Sequence, residues 1–474
     1  MLIGKYKILG KEYKTKDYVE ILNPSTNTSY AKVPALKKEL VDKIYQFASN
    51  KQIEWENKTI SERAVYLKKW ADLIEKNKEK LAKLIVNEVA KNYQDSLIEV
   101  ERSVTYIRYT IEEMYRINLE ARTSEQFYDG KKDKIALIQR KPYGVILIIS
   151  PFNFPINLVI SKIAPALISG NVCVFKPATQ GSFVAIELIK LWEQTKAEDG
   201  IINLITGRGR EISDYLVTHP LINFINFTGS TNVGKEIASK AKMIPIIMEL
   251  GGKDAAIIID GANLEKASDE IIKGAFSYSG QRCTAIKRVF VDKKNKEILE
   301  KLLLSKIKKL KIGLPQDNAD IIPLIDQKSL KYQEELLSDL NQKAKILIGN
   351  KKDIKNNIFY PTLVTNVLST DRLAKEEQFG PILPIITYDN FDHLIKIHND
   401  TSFGLQASIF ARDLNNLFKI AEKLEVGTIN FNKKSQRGPD NFPFIGYKDS
   451  GLGTQGIKNS ILAMTKEKVI IINI

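Results

Sequence analysis

The sequence predicts an α/β protein built on parallel sheets whose strands are joined by crossover helices. Two observations carry this. In the middle of the chain the short apolar runs 145–149, 172–175 and 222–227 read as buried strands, and helix-like stretches such as 182–195 lie between them. A second unit of the same kind begins at the apolar run 255–259 and continues through a helical pattern over 271–276. At 474 residues the chain is too long for one compact core, so two or three domains are expected.

The flanking elements follow in order. Thr59 and Glu62 form a capping-box pattern, and Ala64, Leu67, Ala71 and Ile74 then fall on one helical face. Residues 120–144 break the α/β rhythm and read as two strands around the turn Tyr128-Asp129-Gly130-Lys131. Residues 469–474 form an apolar strand. An unpaired edge there invites aggregation, so we expect the hairpin of a neighbouring subunit to cover it, making the protein a homo-oligomer.

Composition narrows the class. Hydrophobic residues make up 43% and charged residues 27%, as in ordinary soluble domains. No apolar run approaches the roughly 20 residues of a membrane span, and the first residues lack the apolar core of a secretory signal. Two cysteines far apart make no disulfide framework, which points to the cytoplasm. The net charge of +15 comes from 71 basic and 56 acidic residues, but lysines alternate with glutamates in runs such as 75–80. Such runs form solvated helix faces. There is no zinc-finger or ribonucleoprotein pattern, and a basic surface attracts a phosphorylated metabolite as well as nucleic acid, so the charge alone does not choose between them. His219, His393 and His398 are scattered, and no metal is expected.

Cys283 is the leading catalytic candidate. It lies in Ser279-Gly280-Gln281-Arg282-Cys283-Thr284, where Gly280 permits a tight turn and the adjacent Arg282 is expected to favour the thiolate. In Met248-Glu249-Leu250-Gly251-Gly252 a carboxylate sits among apolar residues, and burial there would move it towards the range of a general base. Ser150-Pro151-Phe152-Asn153-Phe154-Pro155 follows a strand directly and offers the Asn153 amide to a developing oxyanion. Lys176-Pro177-Ala178-Thr179 follows another strand end and suits a ribose or its phosphate. Thr228-Gly229-Ser230 through Lys235-Glu236 is close to a Walker loop, but Glu236 stands where a magnesium-binding hydroxyl is needed. A strand–turn–helix presenting its N-terminus to a dinucleotide pyrophosphate is the alternative, as is a plain turn. Glu376-Glu377-Gln378-Phe379-Gly380-Pro381 completes the set.

Taken together in chain order, these motifs resemble the aldehyde dehydrogenase superfamily over nearly the whole chain. Residues 176–182, 207–215 and 436–444 are similar to its members that oxidise glyceraldehyde 3-phosphate with NADP and without inorganic phosphate. The resemblance implies a Rossmann-type cofactor domain over 1–119 and 145–247, with 440–459 packing back on it. It also implies an α/β catalytic domain over 248–439 and a small β oligomerisation element from 120–144 and 460–474, in a homotetramer. The partner it implies is a small phosphorylated aldehyde, with no nucleic acid and no membrane. Cys283, Glu249 and Asn153 are then the catalytic residues. Ser150, Lys176, Thr179, Asp214, Gly229, Ser230, Leu250, Glu377 and Phe379 bind the cofactor. Arg102, Asn153, Phe154, Arg282, Cys283, Thr284 and Arg437 meet the substrate. Thr179 stands where NAD-preferring relatives carry a glutamate, so NADP is expected. The implied reaction is irreversible oxidation of D-glyceraldehyde 3-phosphate to 3-phosphoglycerate; the alternative is an NAD(P)-dependent dehydrogenase of another small aldehyde, a semialdehyde or lactaldehyde. Phe154 departs from the usual tyrosine, which predicts weaker phosphate binding or a broader aldehyde range.

Overall fold

The computed structural model describes residues 1–117, 119–127 and 130–474. The apolar runs read as strands are strands, with ends shifted by one or two residues: Val145–Ser150, Val172–Pro177 and Phe224–Thr228. With Ile202–Leu204 and Ile246–Glu249 they form a parallel sheet, closed on one edge by the antiparallel Gly451–Leu452. The strand order reverses between Val145–Ser150 and Phe224–Thr228: the chain first builds outward from 145–150, then returns to its other side. Loops at the carboxyl ends of two such strands diverge and leave a crevice. Both Asn153 and Gly229 lie in those loops.

Buried strands need apolar cover on both faces, and the helices supply it. Asn157–Ile168 is buried over its entire length, and Ser182–Glu193 nearly so. Ile60–Lys76 opens on the expected capping box: Thr59 Oγ1 accepts from Glu62 N–H at 3.2 Å, and Glu62 Oε2 accepts from Thr59 N–H at 2.7 Å. Such a cap is worth about 1 kcal/mol.

The second unit is a seven-stranded sheet in the order Lys345–Ile348, Thr362–Thr365, Ile382–Tyr388, Arg288–Asp292, Ala255–Ile258, Gln406–Phe410 and Thr428–Phe431. All its pairings are parallel except that of Lys345–Ile348. Cys283 precedes the strand Arg288–Asp292, so its loop and the carboxyl edge of the first sheet border the same space.

The third sheet corrects the expectation for the chain's end. Thr465–Asn473 pairs antiparallel with Lys134–Pro142 of its own chain along nine residues, and Glu120–Thr123 flanks the other side. The terminal strand therefore has an intrachain partner, and only its outer edge is open. Tyr128 and Asp129 of the expected turn lie outside the described residues. No described helix is long and apolar enough to cross a membrane.

Candidate active site

The loop before Cys283 runs through three consecutive residues in the left-handed region: Tyr278 (φ 54°), Ser279 (φ 51°) and Gly280 (φ 74°). Two are not glycine, so surrounding contacts must hold the turn. Tyr278 Oη donates to Val89 O at 2.9 Å, Ser279 Oγ to Ile322 O at 2.7 Å, and Gln281 Oε1 accepts from Ile325 N–H at 2.9 Å. At 280 a side chain is excluded, because a Cβ would stand 2.5 Å from Gly380 O.

The thiol opens into a cavity of about 900 Å³. All nine residues expected at the cofactor line it, together with Asn153 and Cys283. Glu249, Phe154, Thr284, Arg102, Arg282 and Arg437 are not in its wall. None of the three histidines lines it either.

Arg282, expected to favour the thiolate, is not the strongest charge acting on the thiol. Beyond the left-handed turn its guanidinium points back, donating to Gly274 O at 2.5 Å and Ser277 O at 3.4 Å. Burial pushes the Cys283 thiol up to about 11, and the strongest opposing influence is Lys287, whose Nζ binds Cys283 O at 2.5 Å. A raised thiol pKa leaves little thiolate at neutral pH, and the thiolate is the species that alkylates. Iodoacetamide modification of Cys283 without added nucleotide should therefore accelerate about tenfold per pH unit from pH 7 to 9. A rate already level by pH 8 would contradict this.

Glu249 ends its strand opposite Thr228, and the register places their side chains together. The carboxylate is buried, but not as the isolated acid the sequence suggested. Oε2 accepts from Thr228 Oγ1 at 2.9 Å with Lys162 Nζ 3.6 Å away, and Oε1 accepts from Arg437 Nη1 at 2.5 Å. Asn153 Nδ2 donates to Gln281 O at 3.0 Å, tying its loop to that of Cys283. The Cys283 backbone N–H has no acceptor among the described residues, so it remains free for an oxyanion.

The arginines expected at the phosphate are all engaged. Arg102 grips both oxygens of Asp440 at 2.7 Å, Arg437 holds Glu249, and Arg282 holds backbone carbonyls. Thr284 is buried, and Ser435 Oγ donates to its carbonyl at 2.9 Å. Phe154 lies against Lys91, whose Nζ stands 3.4 Å from the ring centroid.

The cavity suits a phosphorylated dinucleotide. The helix Thr231–Lys240 opens at Ser230 with no side-chain cap, leaving its first N–H groups for an anion. Ser150 Oγ is buried without a partner among the described residues. Burial lowers Lys176 to about 8, and its Nζ donates to Pro177 O at 2.7 Å. Thr179 and Arg210 stand in the same wall. At the other end Glu377 is fixed by Gly252 N–H at 3.0 Å and Lys287 Nζ at 3.2 Å, while Phe379 meets Phe152 edge-on at 6.0 Å. Asp214 lies at the rim, where Lys240 Nζ binds it at 2.6 Å. Leu250 fits against Gly234, where a Cβ would come within 2.5 Å of it.

Sequence reasoning missed Lys162, Lys287 and Lys91. Lys162 had a readable signal, a single charge in the apolar helix Asn157–Ile168; burial lowers it to about 8. The other two become functional neighbours only through the fold.

A cysteine thiol opening into a dinucleotide-sized cavity between two α/β units, with a buried carboxylate ending a strand of the first, is the kind of arrangement an aldehyde-oxidising site needs. The model of the aldehyde dehydrogenase family matches residues 11–470, and the chain belongs to that family. It is 45% identical to the NADP-dependent glyceraldehyde-3-phosphate dehydrogenase of Streptococcus equinus, covering 99% of this chain and 98% of that protein. Identity to the Nicotiana plumbaginifolia enzyme of the same name is 42%, over 96% of this chain and 92% of the other. Among solved structures, the NADP complex of the NADP-dependent glyceraldehyde-3-phosphate dehydrogenase from Bacillus halodurans C-125 superposes with a TM-score of 0.97. Its identity is 45%, covering 100% of this chain and 99% of that one.

Proposed function

We infer that the chain oxidises D-glyceraldehyde 3-phosphate to 3-phosphoglycerate with NADP and without inorganic phosphate. The observation that carries this is a single cavity lined by the Cys283 thiol, the Asn153 amide and a phosphate-ready wall of Lys176, Thr179 and the uncapped helix at Ser230. The relatives' names supply the substrate.

The residues divide the work as follows. The Cys283 sulfur attacks the aldehyde carbon, and the oxyanion is held by the Asn153 amide and the Cys283 N–H. NADP held in the cavity would supply the hydride acceptor, so that the adduct on Cys283 could become a thioester. Glu249 then accepts a proton from water as the water oxygen joins the acyl carbon and the thiolate departs. Ser150, Lys176, Thr179, Gly229, Ser230 and Asp214 hold the nucleotide's phosphates and ribose, and Leu250, Glu377 and Phe379 its nicotinamide half. Arg102, Arg282, Arg437, Phe154 and Thr284 surround the substrate. To reach a phosphate, the arginines exchange their present partners for it.

NADP reduction with a panel of small aldehydes, in phosphate-free buffer and with NAD in parallel, tests this reading. Glyceraldehyde 3-phosphate with NADP should exceed all other pairs; faster oxidation of lactaldehyde or a semialdehyde would overturn it. Phe154→Tyr should lower KM for glyceraldehyde 3-phosphate by about tenfold or more, because a hydrogen bond to a charged group contributes roughly 1.5–3 kcal/mol. An unchanged KM would remove Phe154 from the substrate site.

The domain boundaries at 119, 144, 247 and 439 are part of the same proposal; the three sheets support 119, 144 and 439, while the strand Ile246–Glu249 of the first sheet runs across 247. A homo-oligomer, tetrameric as in the family, is supported by two open sheet edges, at Thr428–Phe431 and Thr465–Asn473. Along the latter Val469, Ile470, Ile471 and Ile472 are 52%, 44%, 61% and 43% exposed. Both cysteines are free thiols, which supports a reducing compartment, the cytoplasm.

A further inference from the structure

Glu249 has two tasks that compete for the same atoms. As a base it must accept a proton from water, yet Oε1 is held by Arg437 at 2.5 Å and Oε2 by Thr228 at 2.9 Å. Arg437 is itself the inner end of a row of alternating charges. Its Nε stands 3.9 Å from Asp440 Oδ1, and Asp440 binds Arg102 through both oxygens. Arg437 also borders a second cavity of about 360 Å³, shared with Lys433, Gly438 and Asp440. It therefore faces open space while its Nη1 restrains the base.

We propose that Arg437 is a substrate-operated latch: the phosphate dianion of the substrate draws its guanidinium off Glu249, freeing the carboxylate to deprotonate the hydrolytic water. This rests on the substrate reading above and deepens it. A dianion outcompetes a monoanionic carboxylate for a guanidinium, whose planar fork takes two phosphate oxygens at once. The buried Glu249 is not stranded when Arg437 leaves. Lys162 Nζ, 3.6 Å away and without a hydrogen-bond partner among the described residues, remains to balance it. In the released state the water oxygen bonds to the acyl carbon and its proton passes to Glu249. The C–S bond breaks, and its electron pair leaves on the Cys283 sulfur; nothing is oxidised or reduced. Arg437 acts through Glu249 and is a positioning residue for this step. An aldehyde lacking phosphate should acylate Cys283 and then wait.

The test separates the substrate into two pieces. NADPH formation is followed by stopped flow with D-glyceraldehyde and saturating NADP, with and without phosphite dianion. The native protein should give a stoichiometric burst and then slow turnover. Phosphite should raise that turnover about tenfold or more, as expected when a charged contact is recovered, and leave the burst amplitude unchanged. In Arg437→Met, turnover of glyceraldehyde alone should exceed the native rate, and phosphite should no longer change it. If phosphite leaves native turnover unchanged while glyceraldehyde 3-phosphate is oxidised, the latch is overturned. A variant with an intact burst and no faster turnover also overturns it; if the variant loses its burst, the native comparison decides alone. Failure of the substrate reading gives a different result, no NADPH from glyceraldehyde 3-phosphate at all.

Discussion

Cys283→Ala should abolish NADPH formation from glyceraldehyde 3-phosphate, a loss on the order of 10⁶-fold, the scale seen when an enzyme loses its covalent nucleophile. Oxyanion donors and bound NADP cannot compensate, because without the sulfur there is no tetrahedral adduct from which hydride can leave. The fold should survive. Cys283 is partly exposed at the cavity wall, and its loop is held by Tyr278, Ser279 and Gln281 rather than by the thiol. NADP affinity, read by fluorescence titration, should therefore stay close to native. Retained turnover, or loss of NADP binding along with activity, would contradict the assignment.

Glu249→Gln should split the reaction in two. Acylation needs Cys283, Asn153 and NADP, so a burst of NADPH should persist. Hydrolysis needs the base, and steady turnover should fall by about 10²–10⁴-fold. The variant should also unfold more easily, since Arg437 and Lys162 would face a neutral amide; removing one side of a buried ion pair costs roughly 3–5 kcal/mol. Loss of the burst together with steady turnover would place Glu249 in acylation instead. A coenzyme A-acylating relative would not need this base, so the split also distinguishes hydrolysis from transfer to a thiol.

The residues proposed for the reactive centre stand out in the sequence for a local reason. Asn153 sits between prolines at a strand end, Glu249 precedes two glycines at another, and Cys283 follows Gly280 in a tight turn. Each pattern fixes backbone geometry near the reacting group. What the sequence misjudged depends on direction in space. Arg282 adjoins Cys283 in the chain, yet the left-handed run through Tyr278, Ser279 and Gly280 sends its guanidinium to Gly274 O. Lys287, four residues on, is the cation that opposes burial of the thiol. Glu249 was correctly read as buried, but its ion pair with Arg437 joins residues 188 apart in sequence. The terminal strand was recognised from its apolar run; its partner Lys134–Pro142 lies more than 300 residues earlier, beyond the reach of any local pattern.

The central claim is that a Cys283 acyl-enzyme is released by water rather than by phosphate. Its most direct test is the stoichiometry in buffer freed of inorganic phosphate and arsenate. NADPH should form from glyceraldehyde 3-phosphate with an equal amount of 3-phosphoglycerate, and adding inorganic phosphate should change neither the product nor its yield. NADPH that appears only after phosphate is added, with an acyl phosphate as product, would contradict it.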